Sequence, residues 1–456
     1  MRIKNNPYKI GVHLWLAFVL LFSVTVNSQQ RTSPRQAQQH YEEGLQLLAK
    51  SDLDGAIESF KKAISLAPKD AQAHASLGYA LGVKGQLTDA IVELQKAISL
   101  NPELGEAHYY LGAARWFSKD IDGAIAPLRA AVRLMPKHAN AHYYLGLSLL
   151  SLKQDNELDE AIDAFRAAIK LQPDMLRAYN DLGLALMQKR DPDGAIAAFN
   201  EALKLDSSNM VAQLNIGMVL IQKGDYAAAV DQYRRIIVQA PDSAEAHYNL
   251  GLALKQKDEL ADAEVELRKA IDLQPRLHEA HYILGIILTQ QSRLEDAAAA
   301  LKKAIEVKPD YAEAHFALGT VMQQQGNFAG AIAALRQALV HAPNAPEIHN
   351  ALGNALRQKG DIESARVEFQ EAARLNKIKS NQQAAMFATN TGIAKLKEGK
   401  VDEAIETLQR AVQLDPTNAQ AFYNLATALQ KKGQTAAART AEQKARELDP
   451  RIKPLP

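Results

Sequence analysis

Between Ala244 and Pro275, His247, Leu250 and Leu254 recur at three- and four-residue spacing, and Ala263, Leu267 and Ala270 repeat that spacing further on. Such intervals put apolar side chains on one face of a helix. The charged stretch KQKDEL separates the two sets and carries a turn, and Pro275 closes the unit because proline cannot continue a helix. The pattern therefore predicts a pair of helices, and it is written many times over. AEAHYNLGLAL at Ala244 is echoed by GEAHYYLGAA at Gly105, ANAHYYLGLSL at Ala139, HEAHYILGIIL at His278 and AEAHFALGTVM at Ala312. The glycine of this phrase falls at 44, 78, 112, 146, 183, 217, 251, 285, 319, 353 and 392, mostly 34 residues apart, with Ala426 in the twelfth place. An alanine follows twelve residues later in nearly every copy, and a proline usually ends it.

Glycine inside a helix costs about 1 kcal/mol relative to alanine. Eleven such glycines imply a demand, and close approach of the two helices supplies one: Gly251 would lie against the partner helix that carries Ala263 and Ala270. A single pair cannot bury both of its faces, so neighbouring units are expected to stack into a continuous core.

This twelvefold phrase, over residues 37–450, resembles the tetratricopeptide repeat (TPR) family. The resemblance implies an all-α fold of antiparallel helix pairs, stacked as a right-handed superhelical solenoid with an inner groove. Two places depart from the pattern. The fourth repeat has three extra residues within KQDNELDEA, which should lengthen its inner turn. Between repeats ten and eleven, KIKSNQQ lacks the closing proline, and Ala388, Thr391 and Lys395 replace the usual bulky apolar residues. Residues 380–384 are therefore expected to form an irregular, soft junction; a local helical extension is the alternative. The organisation expected is 1–28 signal peptide, 29–36 linker, 37–379 repeats one to ten, 380–384 junction, 385–450 repeats eleven and twelve, and 451–456 tail. Glu442, where most repeats have Leu or Phe, suits a polar terminal cap.

The first 28 residues differ in kind. Arg2, Lys4 and Lys9 precede the apolar run LWLAFVLLF, and SVTVNS follows with Val26 and Ser28 at the −3 and −1 positions of a cut. This is the layout of a secretory signal peptide. It predicts an exported protein, periplasmic or secreted, without a membrane span once cleaved; anchoring through residues 10–26 is the alternative. Cleavage would move the net charge from +1 to −2.

That near-neutral balance gives no electrostatic footprint for nucleic acid. The absence of cysteine excludes disulfides, thiolate metal sites and a cysteine nucleophile. DLD at Asp52, DID at Asp120 and DPD at Asp191 look like metal–nucleotide motifs, but all three fall in the turn before a second helix, where an acidic side chain caps exposed amides. Eight histidines, among them His74, His108, His247 and His349, share one repeat position. Packed helices lie about 8–10 Å apart, so equivalent histidines cannot share an ion held at about 2 Å; packed, hydrogen-bonded rings are expected. No phosphate loop, nucleophile elbow or triad is written, and beside the repeats there is no room for an enzyme domain. Catalytic residues, metal and cofactor are all expected to be none.

The resemblance implies that the groove is lined by positions two, five, six, nine, twelve and thirteen of each first helix. Read down the chain, these positions are apolar and aromatic early and polar with basic spots later. Tyr109, Tyr110, Trp116, Phe117, Tyr143, Tyr144, Leu150 and Met187 form the candidate partner-binding patch, since aromatic residues are favoured interface anchors; packing between repeats is the other use such side chains could have. The residues that co-chaperone TPRs use to hold a C-terminal carboxylate are missing. The asparagine ladder of O-linked N-acetylglucosamine transferase arms is interrupted at Ser76, Asp181, Ile283 and Ala351. The expected function is a non-catalytic scaffold for other proteins or peptides, in bacterial envelope assembly or export. A targeting arm of a glycan-transferring system, or a carrier of an apolar or saccharide ligand, are the alternatives.

Overall fold

A computed structural model describes residues 32–152, 155–450, 452 and 454–455. The expected signal peptide lies outside the described residues. Those residues form α-helices joined by turns, with no strand among them. They fall into two compact units, one ending at Pro241 and the other beginning at Asp242. The first unit holds α1 (Thr32–Ala49), α2 (Leu53–Leu66), α3 (Ala71–Lys84), α4 (Leu87–Leu100), α5 (Gly105–Phe117), α6 (Ile121–Leu134), α7 (Ala139–Ser151), α8 (Asp155–Leu171), α9 (Leu176–Gln188), α10 (Pro192–Leu205), α11 (Met210–Lys223) and α12 (Tyr226–Gln239). The second holds α13 (Ala244–Gln256), α14 (Leu260–Leu273), α15 (His278–Gln290), α16 (Leu294–Val307), α17 (Ala312–Gln324), α18 (Phe328–His341), α19 (Pro346–Lys359), α20 (Ile362–Lys397), α21 (Val401–Leu414), α22 (Ala419–Lys431) and α23 (Thr435–Leu448).

The repeat glycine is the contact point of each pair. A Cβ on Gly251 would come within 2.7 Å of Leu267 Cγ and 3.3 Å of Ala263 O; one on Gly112 would meet Leu128 Cγ at 2.4 Å, and one on Gly217 would meet Tyr233 Cζ at 2.4 Å. The large side chain sixteen positions on therefore fills the space that glycine leaves. Ala263 and Ala270 are fully buried beside it. Repeat twelve reverses both choices: Ala426 replaces the glycine and Glu442 replaces the large apolar residue. Glu442 Oε1 instead accepts a hydrogen bond from Leu455 N at 3.1 Å, and Leu455 packs against the last apolar cluster. Leu455 thus lies over the end of the last apolar cluster.

The acidic turns cap helices. Asp52, Asp120 and Asp191 accept from the backbone N–H of Gly55, Gly123 and Gly194, each at 3.0 Å. Where the repeated histidine is present after the first repeat, it ties its first helix to the end of the repeat before it: Nε2 of His108, His142 and His281 donates to the carbonyls of Pro102, Pro136 and Pro275 at 2.8, 3.0 and 3.0 Å. Closing proline and histidine are two halves of one device.

The junction expected at 380–384 is not irregular. α20 runs unbroken through it as the second helix of repeat ten and the first helix of repeat eleven. Without a proline, and with Lys, Ser, Asn, Gln and Ala throughout, nothing in KIKSNQQAA stops a helix. Helix also begins at Thr32, inside the segment expected to be a linker.

Candidate partner-binding groove

Within the first unit, α3 touches α5, α5 touches α7, α7 touches α9 and α9 touches α11. The backbones of second helices stay further apart among the described residues, and where α6 and α8 meet it is through the long side chains of Arg129 and Glu160, 2.5 Å apart. First helices therefore line the tighter, inner side of this stack, and their side chains meet across it.

Tyr109, Tyr110, Trp116 and Phe117 stand on α5, Tyr143, Tyr144 and Leu150 on α7, and Met187 on α9. The aromatic members form one connected group. The Trp116 ring lies edge-on to Phe117 at 4.8 Å and to Tyr144 at 5.7 Å between centroids. Tyr109 reaches Tyr144 at 6.2 Å and Tyr110 at 5.3 Å, and Tyr110 continues the group to Tyr79 of α3 at 4.6 Å. Leu150 and Met187 are half-buried against the same core.

Burial divides the patch into two layers. Tyr109, Tyr110, Trp116 and Phe117 are half-buried and present part of their surface. Tyr143 and Tyr144 are only 6% and 3% exposed and belong to the apolar core, so they do not face the groove as the repeat positions implied. The reason is local crowding. Tyr144 is enclosed by Tyr109, Trp116 and Phe117 from the preceding first helix. Tyr143 is held between Phe165, 6.0 Å away, and Arg177, whose guanidinium lies 4.5 Å from the ring centre. Both tyrosines form the floor on which the outer rings rest.

The floor has a polar edge. Tyr143 OH donates to Asp181 Oδ2 at 2.7 Å, and Arg177 donates to Asn140 Oδ1 at 2.7 Å. Burial, then the Asp181 charge, pushes the Tyr143 phenol well above its ordinary range. Burial pushes Tyr144 up to about 12, against the pull of Arg177. Both phenols are therefore neutral near pH 7, and Tyr143 is a donor. Burial also pushes the Asp181 carboxyl up to about 6, opposed by the Tyr143 hydrogen bond and by Arg177. His138 packs on Tyr109 at 4.5 Å while its Nδ1 accepts from Ala141 N at 3.0 Å, capping α7; burial lowers its pKa. An acceptor nitrogen must be unprotonated, so the cap requires the neutral ring.

Arg177, Asp181 and His138 were not among the candidate residues. Arg177 and Asp181 occupy groove positions two and six of repeat five, so the repeat register could have found them; His138 caps α7 just outside that register and left no such signal. One outer atom is unsatisfied: Trp116 Nε1 is buried and has no acceptor among the described residues. Buried donors are nearly always hydrogen-bonded, and an orphan costs about 1–3 kcal/mol.

Known protein families are written with the same repeat. A sequence profile described as "TPR repeat" matches residues 44–82, 83–116, 151–189 and 392–433, and one described as "Tetratricopeptide repeat" matches 419–452. The "Cilia and flagella-associated protein 70 C-terminal domain" profile matches 174–390. No curated protein matches. Among solved structures, MamA is 32% identical over 38% of this chain and 93% of its own, with a TM-score of 0.35. YrrB, "a TPR protein with an unusual peptide-binding site", is 26% identical over 41% and 95%, with a TM-score of 0.35. Yeast Tom70 is 15% identical over 92% and 93%, with a TM-score of 0.38. With repeat profiles matching near both ends of the chain, and the glycine contact, capped turns and paired helices recurring from one repeat to the next, the chain belongs to the tetratricopeptide-repeat family.

Proposed function

We propose that this protein is a non-catalytic scaffold that seats an extended segment of a partner protein against the first helices of its first unit. The observation that carries this reading is the layered aromatic patch: half-buried Trp116, Phe117, Tyr109 and Tyr110 rest on the buried Tyr143 and Tyr144. Rigid rings already held in place lose little freedom on binding, and such anchors contribute about 2 kcal/mol or more when a partner covers them. The orphan indole N–H supports an extended segment in particular. A backbone carbonyl lying along the patch would accept from Trp116 Nε1 after a small rotation of the ring, and every residue of an extended chain offers such a carbonyl.

The test screens a library of extended peptides against the full chain and compares the retained peptides on the wild type and on Trp116→Ala. Affinity is expected to fall by tens-fold. Stability should fall by well under the about 3–5 kcal/mol that truncating a fully buried Trp costs, because Trp116 is half-buried. Unchanged affinity in a folded Trp116→Ala protein would place the partner elsewhere.

Export is part of the same proposal, with envelope assembly or export as its setting. The basic residues, apolar run and small residues before Gln29 support it. N-terminal sequencing of the mature protein is expected to start near Gln29; a chain that retains Met1 in the membrane fraction would be an anchored one.

A further inference from the structure

α20 creates a surface that no other junction in the second unit has. Within that unit α15 packs on α14, α17 on α16, α19 on α18 and α22 on α21, each a first helix on the second helix of the preceding repeat. The residue five before the repeat glycine, or before Ala426, is then buried: Ala280, Ala314 and Ala421 are 0% exposed and Ile348 is 4% exposed. In repeat eleven the preceding second helix is α20 itself, so it extends away along the axis instead of lying alongside. The same position holds Phe387, and it is 75% exposed, with Met386 beside it at 59%. Ala365 and Phe369 belong to one cluster and Ala388 to another, and Ala372, Leu375 and Ala385 stay buried between them on other faces of α20.

At about 100° per residue, Asn376, Ser380, Gln383, Phe387, Thr391 and Ala394 fall within about 40° of one line. The strip they form is about 27 Å long. It carries no charge and one large apolar side chain, and all of it is exposed apart from the half-buried Thr391. Lys377 and Lys379 flank the strip on its two sides and make no ion pair among the described residues. From Ala372 to Lys397 there is no Asp or Glu, against Arg374, Lys377, Lys379, Lys395 and Lys397. Only Arg374 and Lys395 of these five are paired, with Glu371 at 2.5 Å and Glu403 at 3.3 Å.

We propose that this face of α20 binds an acidic amphipathic helix of a partner protein. The partner takes the place that a preceding second helix takes at the other junctions. Its apolar stripe covers Phe387, and acidic residues on its two flanks meet Lys377 and Lys379. The uncharged strip is the width of one helix face, and the charge on both rims is of one sign. This fits an acidic helix and disfavours a basic one or a second copy of α20, which would oppose lysine to lysine. The site lies in the second unit and is separate from the aromatic groove of the first.

The test titrates the intact chain with a labelled 18-residue helical peptide bearing a leucine stripe and glutamate flanks, and with the same peptide carrying lysine flanks. The acidic peptide is expected to bind. Phe387→Ser, and separately Lys377→Glu with Lys379→Glu, should each weaken it about tenfold or more. Added salt should weaken it as well, because the lysines are exposed. All three side chains are exposed, so far-UV circular dichroism and the melting profile should not move. Equal binding of both peptides, or indifference to Phe387→Ser, would overturn the proposal. So would binding confined to anionic vesicles, or a concentration-dependent dimer that Phe387→Ser abolishes.

Discussion

Replacing Tyr233 with alanine is expected to remove about 3–5 kcal/mol from the last repeat of the first unit. Tyr233 is fully buried on α12, against Gly217 of α11. Its ring sits where any Cβ on that glycine would be, so the helix pair closes around it. Truncation leaves a ring-sized void that two helices already in contact through their backbones cannot collapse to fill. The hydroxyl contributes separately. It donates to Leu214 O at 3.2 Å, and Tyr233→Phe is expected to cost only about 1 kcal/mol. Repeat arrays need not unfold in one step. Hydrogen exchange of the α11 and α12 amides under native conditions is therefore the appropriate measurement. Equal protection in Tyr233→Ala and wild type would show that the repeat does not depend on this contact.

Filling the glycine contact should act in the opposite geometric sense with a comparable result. Gly112→Val places a Cβ 2.4 Å from Leu128 Cγ and 3.2 Å from the backbone oxygen of Ala124. The leucine could rotate, but the carbonyl cannot, so α5 and α6 must separate. Overpacking of this kind costs about 1–3 kcal/mol, and the backbone contact puts Gly112→Val at the upper end. Ala426→Gly is the control. At the twelfth position the facing residue is Glu442, turned toward the tail, so there is no overpacking to relieve; the loss is helix propensity, about 1 kcal/mol, plus one buried methyl, about 0.8 kcal/mol. Urea titration followed by exchange in α5 and α6, and in α22 and α23, separates the two. A Gly112→Val protein as stable as wild type would mean that the helices are not fixed at this distance.

These two substitutions also show how far a linear reading reaches. The periodicity of Gly, Ala and Pro was enough to predict paired helices, and the pairing of Gly112 with Leu128 or Gly251 with Leu267 follows from steric exclusion alone. Capping by Asp52, Asp120 and Asp191 was legible for the same reason, because a cap is satisfied by an amide three residues away. The bonding of the repeated histidines could be anticipated from their spacing, though their carbonyl partners at Pro102, Pro136 and Pro275 needed the turn between repeats to be seen in space.

The candidate site was legible only as a register. The repeat positions correctly brought Tyr109, Trp116, Phe117 and Tyr144 into one group, since side chains on adjacent first helices must meet. They could not tell floor from surface. That depends on how three neighbouring rings crowd Tyr144 and on where Arg177 lies over Tyr143, and neither is a property of a single helix. The stretch at 380–384 failed for the converse reason. An absent proline and altered spacing mark a break in the repeat, yet they do not by themselves say that one helix runs on to serve two repeats. What the sequence by itself determined is the repeating unit, because each unit's contacts are local and identical side chains impose identical geometry. What only the tertiary structure decided is which copies of a shared position are covered: Phe387 is bare and Ala314 is buried because one long helix replaced the neighbour that lies over Ala280, Ala314, Ile348 and Ala421.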